Sequence, residues 1–157
     1  MGGESVVVFS LESYAGAILD FKKLFAMHWQ ENAVYKDIPL NPDYDTYQKI
    51  DELGSLAAYT ARIGAGQELI AYAVFLIRSS HLHYKEHAWA MNDIIWVHPD
   101  HRNLGIGNGL VDCWQADLKR RGIHVVHVNS KVAQPALGHL LKFRGYDNIE
   151  LGWSKRL

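Results

Sequence analysis

The sequence predicts an α/β (α+β) fold, a mixed central sheet flanked by helices, and three observations carry that prediction. The first is element order. Apolar segments of strand character and apolar repeats at three- and four-residue steps follow one another as β-α-α-β-β-β-α-β-α-β. The second is the stretch Val97-His98-Pro99-Asp100-His101-Arg102-Asn103-Leu104-Gly105-Ile106-Gly107-Asn108-Gly109-Leu110, which joins a buried-type strand to an amphipathic helix. The third is composition: 157 residues, 48% hydrophobic and 21% charged, suit one domain with a real core, taken as 1–157.

Residues 5–9, Ser-Val-Val-Val-Phe, are rich in β-branched side chains and read as the first strand. Ser10 is expected to cap the following helix, with Glu12 in its first turn. Leu11, Tyr14, Ile18, Phe21, Phe25 and His28 then form one apolar stripe, ended by His28 and Trp29 with Glu31 just beyond. Residues 32–44 are turn-like, with Pro39 and Asn41-Pro42-Asp43, and such a loop suits the border of a site. Residues 46–53 make a short helix stopped by Gly54, and strands 55–63 and 68–77 form a hairpin through Gly64-Ala65-Gly66. A polar loop, 79–86, carries His81, His83, Tyr84 and Lys85 before the strand at 88–97.

After the glycine-rich stretch, Ile106, Leu110, Trp114 and Leu118 share one helix face, and Lys119-Arg120-Arg121-Gly122 ends that helix. Residues 123–128 are a strand. Pro135 opens another helix, with Leu137, Leu140 and Leu141 inward and Gly145 as its stop. Residues 148–153 read as a short final strand.

A net charge of −1 gives no electrostatic case for nucleic acid or an anionic membrane. A single cysteine excludes an internal disulfide and suits a reducing compartment, hence a cytoplasmic location. No basic flank precedes an apolar core at the start, and no apolar run nears about 18 residues, which argues against secretion and membrane insertion.

Glycines at 105, 107 and 109 are expected to let the backbone turn sharply and approach a ligand. The first N–H groups of the next helix have no intrahelical partner and sit at the positive end of its dipole. With Arg102 beside them they describe an anion cradle for phosphate or pyrophosphate. A Walker A loop is excluded, because Gly107-Asn108-Gly109 does not supply Gly-Lys-Ser/Thr. A dinucleotide fold is excluded too: Pro99 to Leu104 separate strand from glycines, and the next strand ends at Val128-Asn129 without a carboxylate.

What does match is Arg102-x-x-Gly105-x-Gly107, preceded by Val97-x-Pro99 and followed by an apolar helix. It resembles the coenzyme A site of the GNAT superfamily of N-acetyltransferases, with its Arg/Gln-x-x-Gly-x-Gly/Ala signature. Gly145-Tyr146 is similar to the family's closing Gly-Phe/Tyr segment. With His28-Trp29-Gln30-Glu31 and His81-Leu82-His83-Tyr84, the whole chain also resembles acetyltransferases encoded by tailed bacteriophages, which implies the host cytoplasm.

The resemblance implies a GNAT acyl-CoA N-acyltransferase fold with about six to seven strands and about four helices. It implies acetyl-CoA as cosubstrate, no metal, and direct transfer of acetyl to a primary amine of a small molecule, a protein lysine or an N-terminus. The cofactor would lie along Ile95, Trp96 and Val97, whose main chain pairs with the pantetheine arm while an N–H polarises the thioester carbonyl. Its pyrophosphate would rest on Arg102, Asn103, Leu104, Gly105, Ile106, Gly107 and Asn108.

Amine acetylation needs a base, and Asp93, an ionisable group in an apolar strand, is the candidate. Burial would raise its pKa, and alternation would set it on one face with Met91, Ile95 and Val97. The other reading of Asp93 is a structural aspartate bonded to backbone or to Asn92. Family members often carry a glutamate where Met91 stands and a tyrosine where Leu141 stands. His139 or Tyr146 would then replace the acid, or the thiolate would take its proton from solvent.

His28, Glu31 and His83 are expected to line the acceptor pocket. The spacing of His81, His83 and His87 suits zinc, but no cysteine pair accompanies it and no metal is expected. Cys113 reads as packing, and Lys142 or Arg144 as a reach toward the cofactor's 3′-phosphate. The rival functions are a coenzyme A-binding module acting on a host protein without turnover, and a phage enzyme modifying nucleobases or host defence proteins. A homodimer is left open.

Overall fold

The computed structural model describes residues 6–157, so the start of the first expected strand at Ser5 lies outside the described residues. The elements are β1 (Val7–Glu12), α1 (Tyr14–Asn32), α2 (Tyr44–Glu52), β2 (Leu56–Ile63), β3 (Glu68–Arg78), β4 (Trp89–Val97), α3 (Ile106–Arg120), β5 (Val125–His127) and α4 (Pro135–Phe143). They form a five-stranded sheet in the order β1-β2-β3-β4-β5. Pairing is antiparallel up to β4 and parallel between β4 and β5, the mixed α/β arrangement expected.

Helices cover both faces, which is why β2 and β3 read as nearly unbroken apolar runs. On one face Tyr14, Ala17, Phe21 and Phe25 of α1 pack with Leu56, Ala58, Tyr72, Val74 and Trp96. On the other, Ile106, Leu110, Trp114 and Leu118 of α3 pack with Ala57, Tyr59, Ala61, Ala73 and Phe75, the alternate residues of the same strands. Beneath α3 the buried Asp117 accepts from the Tyr59 hydroxyl at 2.8 Å and pairs with Arg121 at 2.8 Å and with Arg120. The basic run ending α3 is therefore bonded to a carboxylate rather than merely solvated.

Three expectations change. β1 runs to Glu12 because Glu12 pairs across to Ala58 and its carboxylate takes the Arg62 guanidinium at 2.7 and 3.0 Å. Leu11 is thus strand, and the α1 cap passes from Ser10 to Ser13, whose hydroxyl accepts from the Gly16 N–H at 3.1 Å. α1 also continues past Trp29 to Asn32, so Glu31 is helical.

The third change is at the end of the chain, where 148–153 is not a strand. β5 is only three residues long and offers too little edge to hold another strand. The segment is fastened by side chains instead, Tyr35 to Ser154 at 2.5 Å and Arg156 to Asp37 at 2.5 Å. Ile149, Leu151 and Trp153 are left exposed.

Candidate functional site

β4 and β5 pair only over Trp89–Met91 and Val125–His127. At the next rung a side chain replaces the backbone. The Asn92 amide donates to the Asn129 carbonyl at 3.1 Å and accepts from the Asn129 N–H at 2.6 Å. Asp93 follows as a bulge: the register with β3 jumps from Phe75–Asn92 to Val74–Ile94 and leaves Asp93 unpaired. From there to Val97 the outer edge of β4 has no strand partner, so the two strands part as a fork.

The loop beyond the open end begins with a 3₁₀ turn, Pro99–His101. Arg102 then turns back, its Nε donating to the Val97 carbonyl at 3.0 Å. Asn103 and Gly105 both adopt left-handed backbone, φ 63° and 79°. Gly105 is the N-cap of α3, with no side-chain cap bond and no acidic residue in the first turn. Among the described residues the N–H groups of Ile106, Gly107 and Asn108 have no hydrogen-bond partner. Bare amides at a helix N-terminus, with open space around Gly105, fit a diphosphate.

The three glycines do not share one task. A Cβ on Gly109 would lie 2.2 Å from the Phe9 ring, and one on Gly107 would lie 2.8 Å from a Leu140 methyl. Those two glycines let α3 approach β1 and α4 closely. Only Gly105 meets the expectation of a turn that a side chain would strain.

Asp93 is exposed, not buried, so the desolvation expected of it is missing. The bulge also moves it off the face of Ile95 and Val97, which pack against the α3 layer. Its carboxylate accepts instead from the Tyr47 hydroxyl of α2, and not from Asn92. Tyr47 stacks on Tyr14 with ring centres 5.0 Å apart, and burial together with Asp93 pushes its phenol far up. The Tyr14 hydroxyl is buried beside them without a partner among the described residues. Neither tyrosine was foreseen as a site residue; Tyr14 carried only a core-stripe signal and Tyr47 none.

The residues expected to share an acceptor pocket do not all come together. His28 bonds the Tyr72 hydroxyl at 2.8 Å and stacks on Trp96, and burial holds its imidazole down at about 4, so the ring is neutral at pH 7. Glu31 accepts from Trp96 Nε1 at 2.8 Å and from Arg102 at 2.7 Å. The Arg102 bond, foremost, holds its carboxyl below the usual range. His83 lies at the other end of β4, where its N–H donates to His81 Nδ1 at 3.1 Å and His81 stacks on Trp89 at 4.3 Å. Trp89 and Trp96 stand seven positions apart on β4, about 23 Å at the rise of a strand.

His81 meets His83, whereas His87 meets His124 at 4.8 Å. Among the described residues no group of three His, Cys, Asp or Glu side chains is arranged to hold a metal ion. Burial pushes the Cys113 thiol up, away from the thiolate. Arg144 pairs with Asp112, and the Tyr146 hydroxyl accepts from Trp114 at 3.0 Å and Gln115 at 3.2 Å, so both are committed to α3. Among the described residues no helix is long and apolar enough to cross a membrane.

The chain matches no curated protein in sequence. Its fold is similar to a ribosomal-protein-alanine N-acetyltransferase from Brucella melitensis biovar Abortus 2308, at 18% identity over 97% of this chain and 99% of that one, with a TM-score of 0.71. It is also similar to an aminoglycoside acetyltransferase, meta-AAC0020, from an uncultured soil metagenomic sample in complex with sisomicin, at 12% identity, 96% coverage of both chains and a TM-score of 0.76. A third likeness is to the aminoglycoside N-acetyltransferase AAC(6')-Iy in complex with CoA, at 14% identity, 100% and 98% coverage and a TM-score of 0.74. The acetyltransferase (GNAT) family model matches residues 21–146, which take in α1 from Phe21 onward, the fork and the cradle, and the chain belongs to that family.

Proposed function

We propose that this protein is an N-acetyltransferase that passes the acetyl group of acetyl-CoA directly to a primary amine. The observation that carries this reading is the uncapped start of α3 at the open end of the β4–β5 fork. Amides from Asn103 to Asn108 hold the diphosphate, and the outer edge of β4 along Ile95, Trp96 and Val97, free of a strand partner, receives the pantetheine arm. The amine nitrogen attacks the thioester carbonyl; the new C–N bond forms as the C–S bond breaks. Asp93 accepts the amine proton, and the thiolate leaves and is protonated by solvent. Tyr47, hydrogen-bonded to Asp93, orients the carboxylate. His28 is the neutral wall of the acceptor side, a role that His83 is too distant to share.

This reading takes 1–157 as one domain working in a reducing cytoplasm, that of the host under the narrower likeness to tailed-phage acetyltransferases. One cysteine agrees with that compartment. A second reading, coenzyme A binding without turnover, is favoured by two positions. Met91 is an exposed thioether where relatives often have a glutamate, and Leu141 is buried in the core where many have a tyrosine.

Release of free thiol from acetyl-CoA, followed over aminoglycosides, lysine peptides and peptides with N-terminal alanine, tests the proposal. Turnover with one acceptor class is expected. Tight coenzyme A binding with silence across the panel supports the second reading, and no binding in a calorimeter defeats both.

A further inference from the structure

We infer that Glu31 is a positioning residue for the cofactor loop: its carboxylate braces Arg102 and holds the 102–105 turn in its anion-receiving shape before any ligand arrives. The inference rests on the coenzyme A reading for its purpose, but the brace itself is a property of the free protein.

One carboxylate oxygen of Glu31 receives two donors from two elements, the Trp96 indole of β4 and the Arg102 guanidinium of the loop. The Glu31 main-chain carbonyl accepts from Gln134, just before α4, at 3.3 Å. The last turn of α1 is thus tied to β4, to the cofactor loop and to the approach to α4. Arg102 is planar and bonded at two separate nitrogens, Nε to Val97 and Nη2 to Glu31, so its orientation is fixed. Among the described residues, Arg102 provides the side-chain hydrogen bonds that tie 102–105 to the rest of the molecule. That turn contains two left-handed residues and leads into three bare amides, an arrangement with little of its own to hold it.

A loop ordered in advance leaves less conformational freedom to be lost on binding. Glu31 therefore serves coenzyme A affinity from the acceptor-side helix without touching the acceptor. It also joins the helix that carries His28 to the cradle, so the two sides of the site move as one body.

Backbone amide order parameters from NMR relaxation on the ligand-free protein and calorimetry with coenzyme A, applied to wild type, E31Q, R102A and the double variant, test the brace. E31Q keeps the volume and one acceptor oxygen, and melting curves report whether it is folded. Backbone order parameters at 103–107 are expected to fall in E31Q and R102A alike. Coenzyme A should bind about tenfold more weakly in E31Q, the scale of one charged hydrogen bond. The double variant should be no weaker than R102A alone. For a reactive acceptor, KM for acetyl-CoA should rise while kcat holds. Unchanged loop order parameters in E31Q, unchanged or tighter binding, or additive losses would overturn the brace, even if E31Q lowered the melting temperature. A wild type that ignored coenzyme A would overturn the cofactor reading, with the order-parameter comparison still deciding the brace.

Discussion

The two ends of β4 differ in what completes them. At the Trp89 end the strand is paired with β5, and the indole is covered by His81, Tyr84 and His127. At the Val97 end the outer edge is unpaired, and the loop beyond it presents free amides to whatever arrives. One amide side chain and one extra residue, Asn92 and Asp93, separate the two regimes. Buried or half-buried polar backbone is normally satisfied within the fold. A stretch of strand and helix that leaves those groups open, inside an otherwise well-packed sheet, supports the proposed cofactor site, where a ligand would satisfy them.

The largest expected effect lies just inside the open end. Asp93→Asn should cut turnover by about a hundred- to ten-thousand-fold, the range of a lost general base, with coenzyme A affinity intact. His81→Ala, which removes the stack on Trp89 at the paired end, should leave turnover unchanged. Thiol release measured at saturating acetyl-CoA separates them, and equal losses would erase the distinction between the ends.

Next in size is a contrast within the glycine-rich stretch. Gly109→Ala should destabilise the fold by about 1–3 kcal/mol, because a Cβ there meets the Phe9 ring head-on. Gly105→Ala meets no neighbour, and its loop can relax away from φ 79° without disturbing the core, so the cost of about 1–2 kcal/mol for restoring that turn should appear in coenzyme A affinity. Urea unfolding and calorimetry on the two variants should therefore give opposite rankings. A smaller effect is expected at the fork itself. Asn92→Ala removes both bonds to Asn129 and should cost about 1 kcal/mol, with faster exchange of the Asn129 amide and several-fold weaker coenzyme A binding.

Much of the scaffold could be read from local signals, because those signals act locally. The α3 stripe of Ile106, Leu110, Trp114 and Leu118 is buried as its spacing requires, and Gly122 and Gly145 end their helices with positive φ. The site is less legible for identifiable reasons. Strand alternation assumes an unbroken period of two, and one inserted residue at Asp93 turned that carboxylate toward α2. Its partner Tyr47 is 46 residues away, and Glu31 and Arg102 are 71 apart, distances over which pattern carries no information. Glycine is ambiguous by its chemistry, since the same residue answers to a left-handed turn at 105 and to close helix packing at 107 and 109. The apolar alternation at 149, 151 and 153 is sound strand pattern, but a strand also needs an edge long enough to receive it.

The smallest effect concerns the packing beneath the open end. His28 is folded with a pKa of about 4 against 6.5 when free, because its ring is buried between Tyr72 and Trp96. Above pH 6.5 both states are neutral and the residue adds no pH dependence. As pH falls from 6.5 toward 4, the unfolded chain takes a proton that the folded ring refuses, so stability declines. The slope is at most about 1.4 kcal/mol per pH unit. The carboxyls of Glu12, Glu31 and Asp20 are held low by Arg62, Arg102 and Lys23, and their stabilisation is lost only at pH below their free values of 4.5, 4.5 and 3.8. Between pH 6.5 and 4.5 the decline should therefore belong mainly to His28. Urea midpoints across that window should flatten in His28→Gln even though the variant is less stable throughout. A slope that survives the substitution would place the titrating group elsewhere and show that the core beneath Trp96 is wetter than the packing of His28 against Tyr72 requires.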